Sequence, residues 1–132
     1  MNTLYVLVAG SRNVPADPDY DRPTYFKMID DAIAEQNFEY DSVIEICGEA
    51  LGGDAVGKEW ANAHGYLVMG FPANWNRLGK SAGPVRNQDM VNYIKNKELR
   101  IAILFWDGQS RGTKHTLELC KQNNIPYKLY SL

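Results

Sequence analysis

Short apolar runs alternate along the chain with segments in which apolar residues recur at helical spacing. Four of the runs are mainly apolar, and the first is continuously so, which is typical of strands that are covered on both faces. A fifth run contains Pro126, and a proline indicates a strand at the edge of a sheet. The predicted strands are Leu4–Ala9, Ser42–Ile46, Tyr66–Phe71, Arg100–Phe105 and Ile125–Tyr130.

One helix is predicted between each pair of consecutive strands. Phe26, Ile29 and Ile33 recur at helical spacing, and Pro84 suits the first turn of a helix, where its missing N–H costs nothing. The polar stretch Asn13–Pro23 is predicted to be a loop, and Pro72–Gly83 has no consistent period. The predicted helices run from about Thr24 to Gln36, from an Asp54 N-cap to His64, from Pro84 to about Lys97, and from about Thr113 to Asn123.

The order β-α-β-α-β-α-β-α-β predicts an α/β fold. We expect a single doubly wound, Rossmann-like domain over residues 1–132, with a five-stranded, mainly parallel sheet and helices on both faces. A length of 132 residues is enough for one domain to bury its own core. With 45% hydrophobic and 23% charged residues, the composition is ordinary for a globular protein.

Each of the first four strands leads into a polar loop that contains glycine. Because parallel strands point the same way, these loops gather at the carboxyl edge of the sheet, where such sheets bind ligands. Glycine lets backbone N–H groups approach an anion, and a helix N-terminus behind the loop favours negative charge. We therefore predict a site for a phosphate-bearing small ligand. Its candidate residues are Gly10, Ser11, Arg12, Gly48, Gly52, Gly53, Asp54, Trp75, Gly83, Arg86, Asn87, Asp107, Gly108, Ser110, Arg111, Gly112 and Thr113.

Most of these residues also have an explanation within the fold alone. Asp54 serves either as a helix cap or as an acceptor for ribose hydroxyls, and a cap is the commoner role at its position. Ser110 or Thr113 can cap the last helix with the same donors that would bind a phosphate. Trp75 and Trp106 either stack on a base or pack against the protein. The prediction of a ligand therefore depends on the convergence of the loops at one edge.

The basic residues are unevenly placed along the chain. A formal net charge of −2 gives no indication of a nucleic-acid or membrane partner. A locally basic pocket is nevertheless expected, because six basic residues lie in or beside the glycine loops. These are Arg12, Arg77, Lys80, Arg86, Arg111 and Lys114.

Other kinds of site have little support. Cys47 and Cys120 have no cysteine neighbour at the spacing of a redox or zinc motif, and we interpret them as buried free thiols. Neither histidine has a partner at metal-ligand spacing and no serine has the context of a nucleophile elbow, so neither a metal nor a hydrolase triad is expected. No apolar run approaches the ~20 residues that span a bilayer. We expect a cytoplasmic protein without a membrane segment or a bound cofactor.

Five segments of the chain are similar to motifs of one known family. They are Gly10–Arg12, Gly48–Asp54, Phe71–Trp75, Gly79–Met90 and Gly108–Thr113. In these segments the chain resembles the YspA-like branch of the SLOG superfamily, which is related to the Lonely-guy phosphoribohydrolases and to the DNA-processing protein DprA. The resemblance covers nearly the whole chain and is most specific at Ala82–Asn87. It implies a doubly wound fold, a nucleotide or nucleotide-derived ligand at the glycine loops and, by analogy, a homo-oligomer.

Two positions depart from the pattern of these proteins. The second loop of the family commonly reads Gly-Gly-Ala, whereas this chain has Gly48-Glu49-Ala50. The Lonely-guy enzymes carry a glutamate three residues after their Gly-Thr pair, and this chain has Thr116 there, which cannot act as a carboxylate base. The candidate catalytic residues, without assigned roles, are Arg86, Asp54 and Glu49.

The preferred hypothesis is binding of a nucleotide-derived ligand, such as an ADP-ribose-like compound or a cyclic nucleotide, by a sensor, carrier or sequestering module. The alternative is hydrolysis of an N-glycosidic or phosphoribosyl bond in a nucleoside monophosphate. In that case Asp54 or Glu49 stabilises the ribosyl cation while Arg86 and Arg111 hold the phosphate. Single-stranded DNA binding, by analogy with DprA, is disfavoured by the net charge of −2.

Overall fold

Five parallel strands form one sheet in a computed structural model of the chain, which describes residues 2–13, 21–50 and 52–131. The strands are β1 Thr3–Gly10, β2 Ser42–Cys47, β3 Leu67–Gly70, β4 Leu99–Trp106 and β5 Tyr127–Ser131. Their spatial order is β3-β2-β1-β4-β5, and every neighbouring pair is parallel. The order of the chain reverses between β1 and β4, so the loops after these two strands flank the switch point of the sheet.

Four helices of 12 or 13 residues connect these strands. They are α1 Arg22–Ala34, α2 Gly53–His64, α4 Ala82–Ile94 and α5 Arg111–Gln122. A short helix, α3 Trp75–Leu78, and a 3-10 turn, Gly79–Ser81, lie between β3 and α4. None of the described helices is both long and apolar enough to cross a membrane.

Each face of the sheet has its own apolar core, because alternate residues of a strand point to opposite faces. Val6 and Ile103 pack on one side with residues of α1 and α2, among them Trp60, which is 1% exposed. Leu7 and Leu104 pack on the other side with residues of α4 and α5. The predicted doubly wound α/β fold is confirmed, as are the core position of Trp60 and the edge position of β5.

Some element boundaries differ from the predicted ones. α1 begins at Arg22 rather than near Thr24, because Asp21 caps it and accepts a hydrogen bond from the backbone N–H of Thr24 at 3.3 Å. Of the predicted loop 13–23, residues 14–20 lie outside the described residues. The stretch 72–83, in which no period was recognised, contains α3 and the 3-10 turn, both too short to show a helical repeat.

Candidate functional site

A cavity of about 1000 Å³ opens at the carboxyl edge of the sheet, over the switch point between β1 and β4. The loops after β1, β2, β3 and β4 line it, together with the first turns of α4 and α5. The predicted loops therefore converge in space. The predicted site residues that line the cavity are Gly10, Arg12, Gly48, Glu49, Asp54, Trp75, Gly83, Arg86, Asn87, Asp107, Ser110, Arg111, Gly112 and Thr113.

Four predicted site residues do not line the cavity: Ser11, Gly52, Gly53 and Gly108. Ser11 is buried, and its Oγ accepts a hydrogen bond from the backbone N–H of Asp107 at 3.1 Å. Gly52 has a φ of +81°, and a Cβ there would overlap the carbonyl oxygen of Ser11. A Cβ on Gly53 would overlap the backbone of Gly10. Ser11, Gly52 and Gly53 therefore let the loops pack closely on one another and support the site without lining it, whereas a Cβ on Gly108 would meet no atom of the described residues within 4 Å.

The N-terminus of α5 forms one end of the cavity. Ser110 is its N-cap, and its Oγ accepts a hydrogen bond from the backbone N–H of Thr113 at 3.3 Å. The capping interpretation of Ser110 is therefore confirmed. The N–H groups of Arg111 and Gly112 are in the first turn and have no acceptor within the helix. Together with the positive end of the helix dipole, they make this end of the cavity favourable for an anion.

The six basic residues of the glycine loops separate into two groups. Arg12, Arg86 and Arg111 line the cavity. Arg77, Lys80 and Lys114 do not. The described residues that line the cavity thus include three arginines and no lysine. Guanidinium groups suit the planar, two-pronged recognition of phosphate or carboxylate.

Arg86 is held in place by the loop after β2 and by its neighbour on α4. Its Nη1 donates a short hydrogen bond to the carbonyl oxygen of Gly48, and its Nε donates to Oδ1 of Asn87 at 2.9 Å. A Cβ on Gly48 would lie 3.0 Å from Nη1, so glycine is needed for this approach. The guanidinium is therefore positioned at the cavity wall by bonds to the loop after β2.

His115 and Thr116 also line the cavity, although neither is among the predicted site residues. Because Arg86 Nε donates to the oxygen of the Asn87 side chain, the amide nitrogen faces the carbonyl oxygen of Gly112 at 3.4 Å and Nδ1 of His115 at 3.3 Å. His115 Nδ1 therefore accepts, which places the ring proton on Nε2. The signal in the sequence is the four-residue spacing of His115 from Arg111 and of Thr116 from Gly112, which puts each pair on one face of the helix.

The prediction that Asp54 caps α2 is wrong, since the N-cap is Gly52. The buried carboxylate of Asp54 instead accepts hydrogen bonds from the backbone N–H groups of Gly10 and Ala50, each at 3.3 Å. Burial raises the pKa of Asp54, while the positive charge of Arg86 and the two N–H donors oppose this shift. Asp54 therefore ties the loop after β1 to the loop after β2.

Glu45, on β2 beneath this loop, was also missed, although an acidic residue in an apolar strand is visible in the sequence. It is fully buried, and neither carboxyl oxygen has a hydrogen-bond partner among the described residues. Burial, followed by the negative charge of Asp54, raises the pKa of Glu45 to about 9. Glu45 is therefore protonated and uncharged at neutral pH, and it does not line the cavity.

Asp107 shapes the loop before α5. Its Oδ1 accepts hydrogen bonds from the backbone N–H groups of Gln109 and Ser110, each at 2.8 Å, and these bonds lower the pKa of Asp107. Trp106 also packs within the fold, because its Nε1 donates to the carbonyl oxygen of Ser110 at 3.0 Å. Trp75, by contrast, lies at the cavity rim with 52% of its surface exposed.

The cysteines are both buried and free, as predicted. Burial raises the pKa of Cys47 and of Cys120 to about 12, so both thiols stay protonated and neither is a nucleophile at neutral pH. Cys47 supports the site loop instead, since its Sγ accepts a hydrogen bond from the backbone N–H of Glu49 at 3.3 Å. Within the described ranges, no group of three or more His, Cys, Asp or Glu side chains is placed to hold a metal ion.

No family model and no curated protein matches the chain. Among solved structures, the C-terminal domain of a hydrogenase from Pyrococcus furiosus is similar to it. The two share 14% sequence identity with a TM-score of 0.44, and the match covers 98% of this chain and 94% of that domain. A similarity at this level of identity and TM-score carries no information about a ligand.

Proposed function

We propose that this protein binds a nucleotide or nucleotide-derived ligand in the cavity, as a sensor, carrier or sequestering module of the SLOG type. The observation that carries the proposal is the convergence of three arginines and the N-terminus of α5 on one cavity at the switch point of the sheet. A phosphate group at this place would accept hydrogen bonds from the first turn of α5 and from Arg111. Each charge-assisted hydrogen bond contributes roughly 1.5–3 kcal/mol.

The size and the rim of the cavity fit a ligand of this class. A volume of about 1000 Å³ is at the upper end of the range for small-molecule sites, roughly 300–1,000 Å³. The exposed indole of Trp75 at the rim offers a ring on which a base can stack. The arginines and the N-terminus of α5 suit the phosphate of a nucleotide, and the indole at the rim suits its base.

The hydrogen bonds that Asp54 and Asp107 already accept from the backbone favour binding over hydrolysis. Both oxygens of Asp54 accept backbone N–H groups, and Oδ1 of Asp107 accepts two more. Thr116, at the position of the family's glutamate, donates its hydroxyl to the carbonyl oxygen of Gly112 at 3.2 Å. Hydrolysis of a glycosidic bond uses a pair of carboxylates that are free to act on the sugar, and of the three carboxylates Glu49, Asp54 and Asp107 only Glu49 accepts no backbone hydrogen bond within the described part of the chain.

The test is isothermal titration of the protein with ribonucleoside 5′-monophosphates, ADP-ribose and 3′,5′-cyclic nucleotides. Arg111→Ala and Lys114→Ala form a matched pair, because both remove an exposed cation from the first turns of α5 and only Arg111 lines the cavity. We expect Arg111→Ala to weaken binding by about tenfold or more and Lys114→Ala to change it by less than about twofold.

Two results would contradict this proposal. One is that none of the compounds binds, and the other is that the two variants weaken binding equally. The same incubations, analysed by chromatography for free base, distinguish binding from hydrolysis. Base release that is lost in Glu49→Gln would favour the hydrolase.

A further inference from the structure

Glu49 adopts a backbone conformation that its residue type disfavours. Its φ is +59°, in the left-handed region where a Cβ is crowded by the backbone. The other non-glycine residues with positive φ in the described ranges are Asn37 and Asn124, and asparagine tolerates this region better than other side chains. Glycine, by contrast, adopts this conformation freely. Backbone geometry alone therefore favours glycine over glutamate here.

A second glycine makes room for the Glu49 side chain. Gly70 is the last residue of β3, and a Cβ added to it would lie 2.5 Å from Oε1 of Glu49. Glycine is otherwise unfavourable in a strand, since its backbone loses more conformational entropy on folding and it has no side chain to pack. Two locally unfavourable residues thus combine at Glu49, a residue that lines the cavity and whose carboxylate lies over Gly70 at the end of β3.

The carboxylate of Glu49 keeps its capacity to accept hydrogen bonds. Among the described residues no hydrogen bond to either oxygen is formed, whereas Asp54 and Asp107 each accept two from the backbone. Its neighbour is Lys58, whose Nζ lies 3.8 Å from Oε1, with the two side chains 50% and 37% exposed. An exposed ion pair at that distance contributes little to stability, so it does not explain why a glutamate occupies this position.

Glu49 and the N-terminus of α5 lie on opposite sides of β1. They follow β2 and β4, which both pair with β1, so roughly two strand spacings, about 10 Å, separate the two loops. A nucleotide that lies across β1 with its phosphate at α5 would extend its sugar toward the loop after β2. Arg111 thus lies at one end of the cavity, and the loop that carries Glu49, to which Arg86 is also bonded, lies at the other.

We infer that Glu49 is a specificity-determining residue that accepts hydrogen bonds from the 2′ and 3′ hydroxyls of a ribose and excludes ligands with a phosphate on those positions. This inference rests on the proposed function and narrows it, because a 3′,5′-cyclic nucleotide carries phosphate on its 3′ oxygen and would be excluded. A vicinal diol donates two hydrogen bonds to one carboxylate, and bonds to a charged acceptor are the strong ones. A second phosphate at the same place would face a like charge.

The experiment measures Kd by calorimetry for each ribonucleoside 5′-monophosphate, for its 2′,3′-dideoxy analogue and for the nucleoside 3′,5′-bisphosphate. We expect the wild-type protein to bind the ribonucleotide at least about tenfold more tightly than either analogue. Glu49→Gly removes this discrimination and unfolds at a temperature no lower than the wild type, because glycine accepts the positive φ. Glu49→Gln restores binding of the 3′,5′-bisphosphate, since it removes only the charge.

Lys58→Ala is the matched control, because it breaks the ion pair and leaves the carboxylate in place. It should keep the preference for the ribonucleotide. If wild type and Glu49→Gly show the same ratio of affinities, or if Lys58→Ala abolishes the preference, the role of Glu49 is overturned while the proposed function stands. If the wild type binds no nucleotide at all, the proposed function fails and the inference fails with it.

Discussion

Replacement of Glu45 by glutamine tests a fully buried position of β2, two residues before the strand ends at Cys47. Glu45 is paired with Val6 of β1 and Val68 of β3, is fully buried, and has no hydrogen-bond partner for either carboxyl oxygen within the described ranges. Its pKa is raised from 4.5 to about 9, by burial first and then by the charge of Asp54. Across the neutral range the folded protein therefore holds a proton that the unfolded chain has released.

This extra proton makes the free energy of unfolding fall as the pH rises. Between pH 4.5 and about 9 the folded state binds one proton more than the unfolded state at Glu45, which gives a slope of up to about −1.4 kcal/mol per pH unit. At pH 7, about 2.5 units above the unfolded pKa, the accumulated loss of stability is about 3 kcal/mol. Below pH 4.5 both states hold the proton and the loss disappears.

Urea unfolding of wild type and Glu45→Gln between pH 4.5 and 8 measures this effect. Glutamine has nearly the shape of the protonated acid and does not titrate, so the variant should gain about 3 kcal/mol relative to wild type between pH 4.5 and pH 7. Part of the remaining slope belongs to Asp54, whose pKa is also raised. Glu118→Gln, at an exposed position, is the control and should leave the slope unchanged. Parallel stability curves for wild type and Glu45→Gln would refute the reasoning.

Three further substitutions test the loops and the rim of the cavity. Gly52→Ala should lower the free energy of unfolding by about 2 kcal/mol or more in urea titrations, because a Cβ there overlaps the carbonyl oxygen of Ser11 at a φ of +81°. Asn87→Ala should cost about 1–3 kcal/mol and weaken nucleotide binding by releasing Arg86; an unchanged Kd would show that Asn87 only supports the fold. Trp75→Ala should leave stability within about 0.5 kcal/mol and weaken binding about tenfold in calorimetry, and equal Kd values would exclude stacking on Trp75.

The strands and their parallel pairing could be predicted from the sequence because their determinants are local. Continuous apolar runs mark strands with two covered faces, and the intervening helical segments require parallel crossovers. Pro126 indicated the edge position of the last strand, and the structure confirms it. The convergence of the glycine loops then follows from the topology, since parallel strands bring their carboxyl ends to one edge.

What only the tertiary structure decided is the role of each polar side chain at that edge. Asp54 is a typical cap by its position in the sequence, yet it binds the N–H of Gly10, 44 residues away. Arg86 is held by Gly48 at a separation of 38 residues. Periodicity and capping preferences depend on contacts within one turn or one strand, whereas these bonds join elements that are far apart in the sequence. The sequence by itself therefore determined the sheet and the place of the cavity, and the folded chain decided which carboxylates support the loops and which one remains open to a ligand.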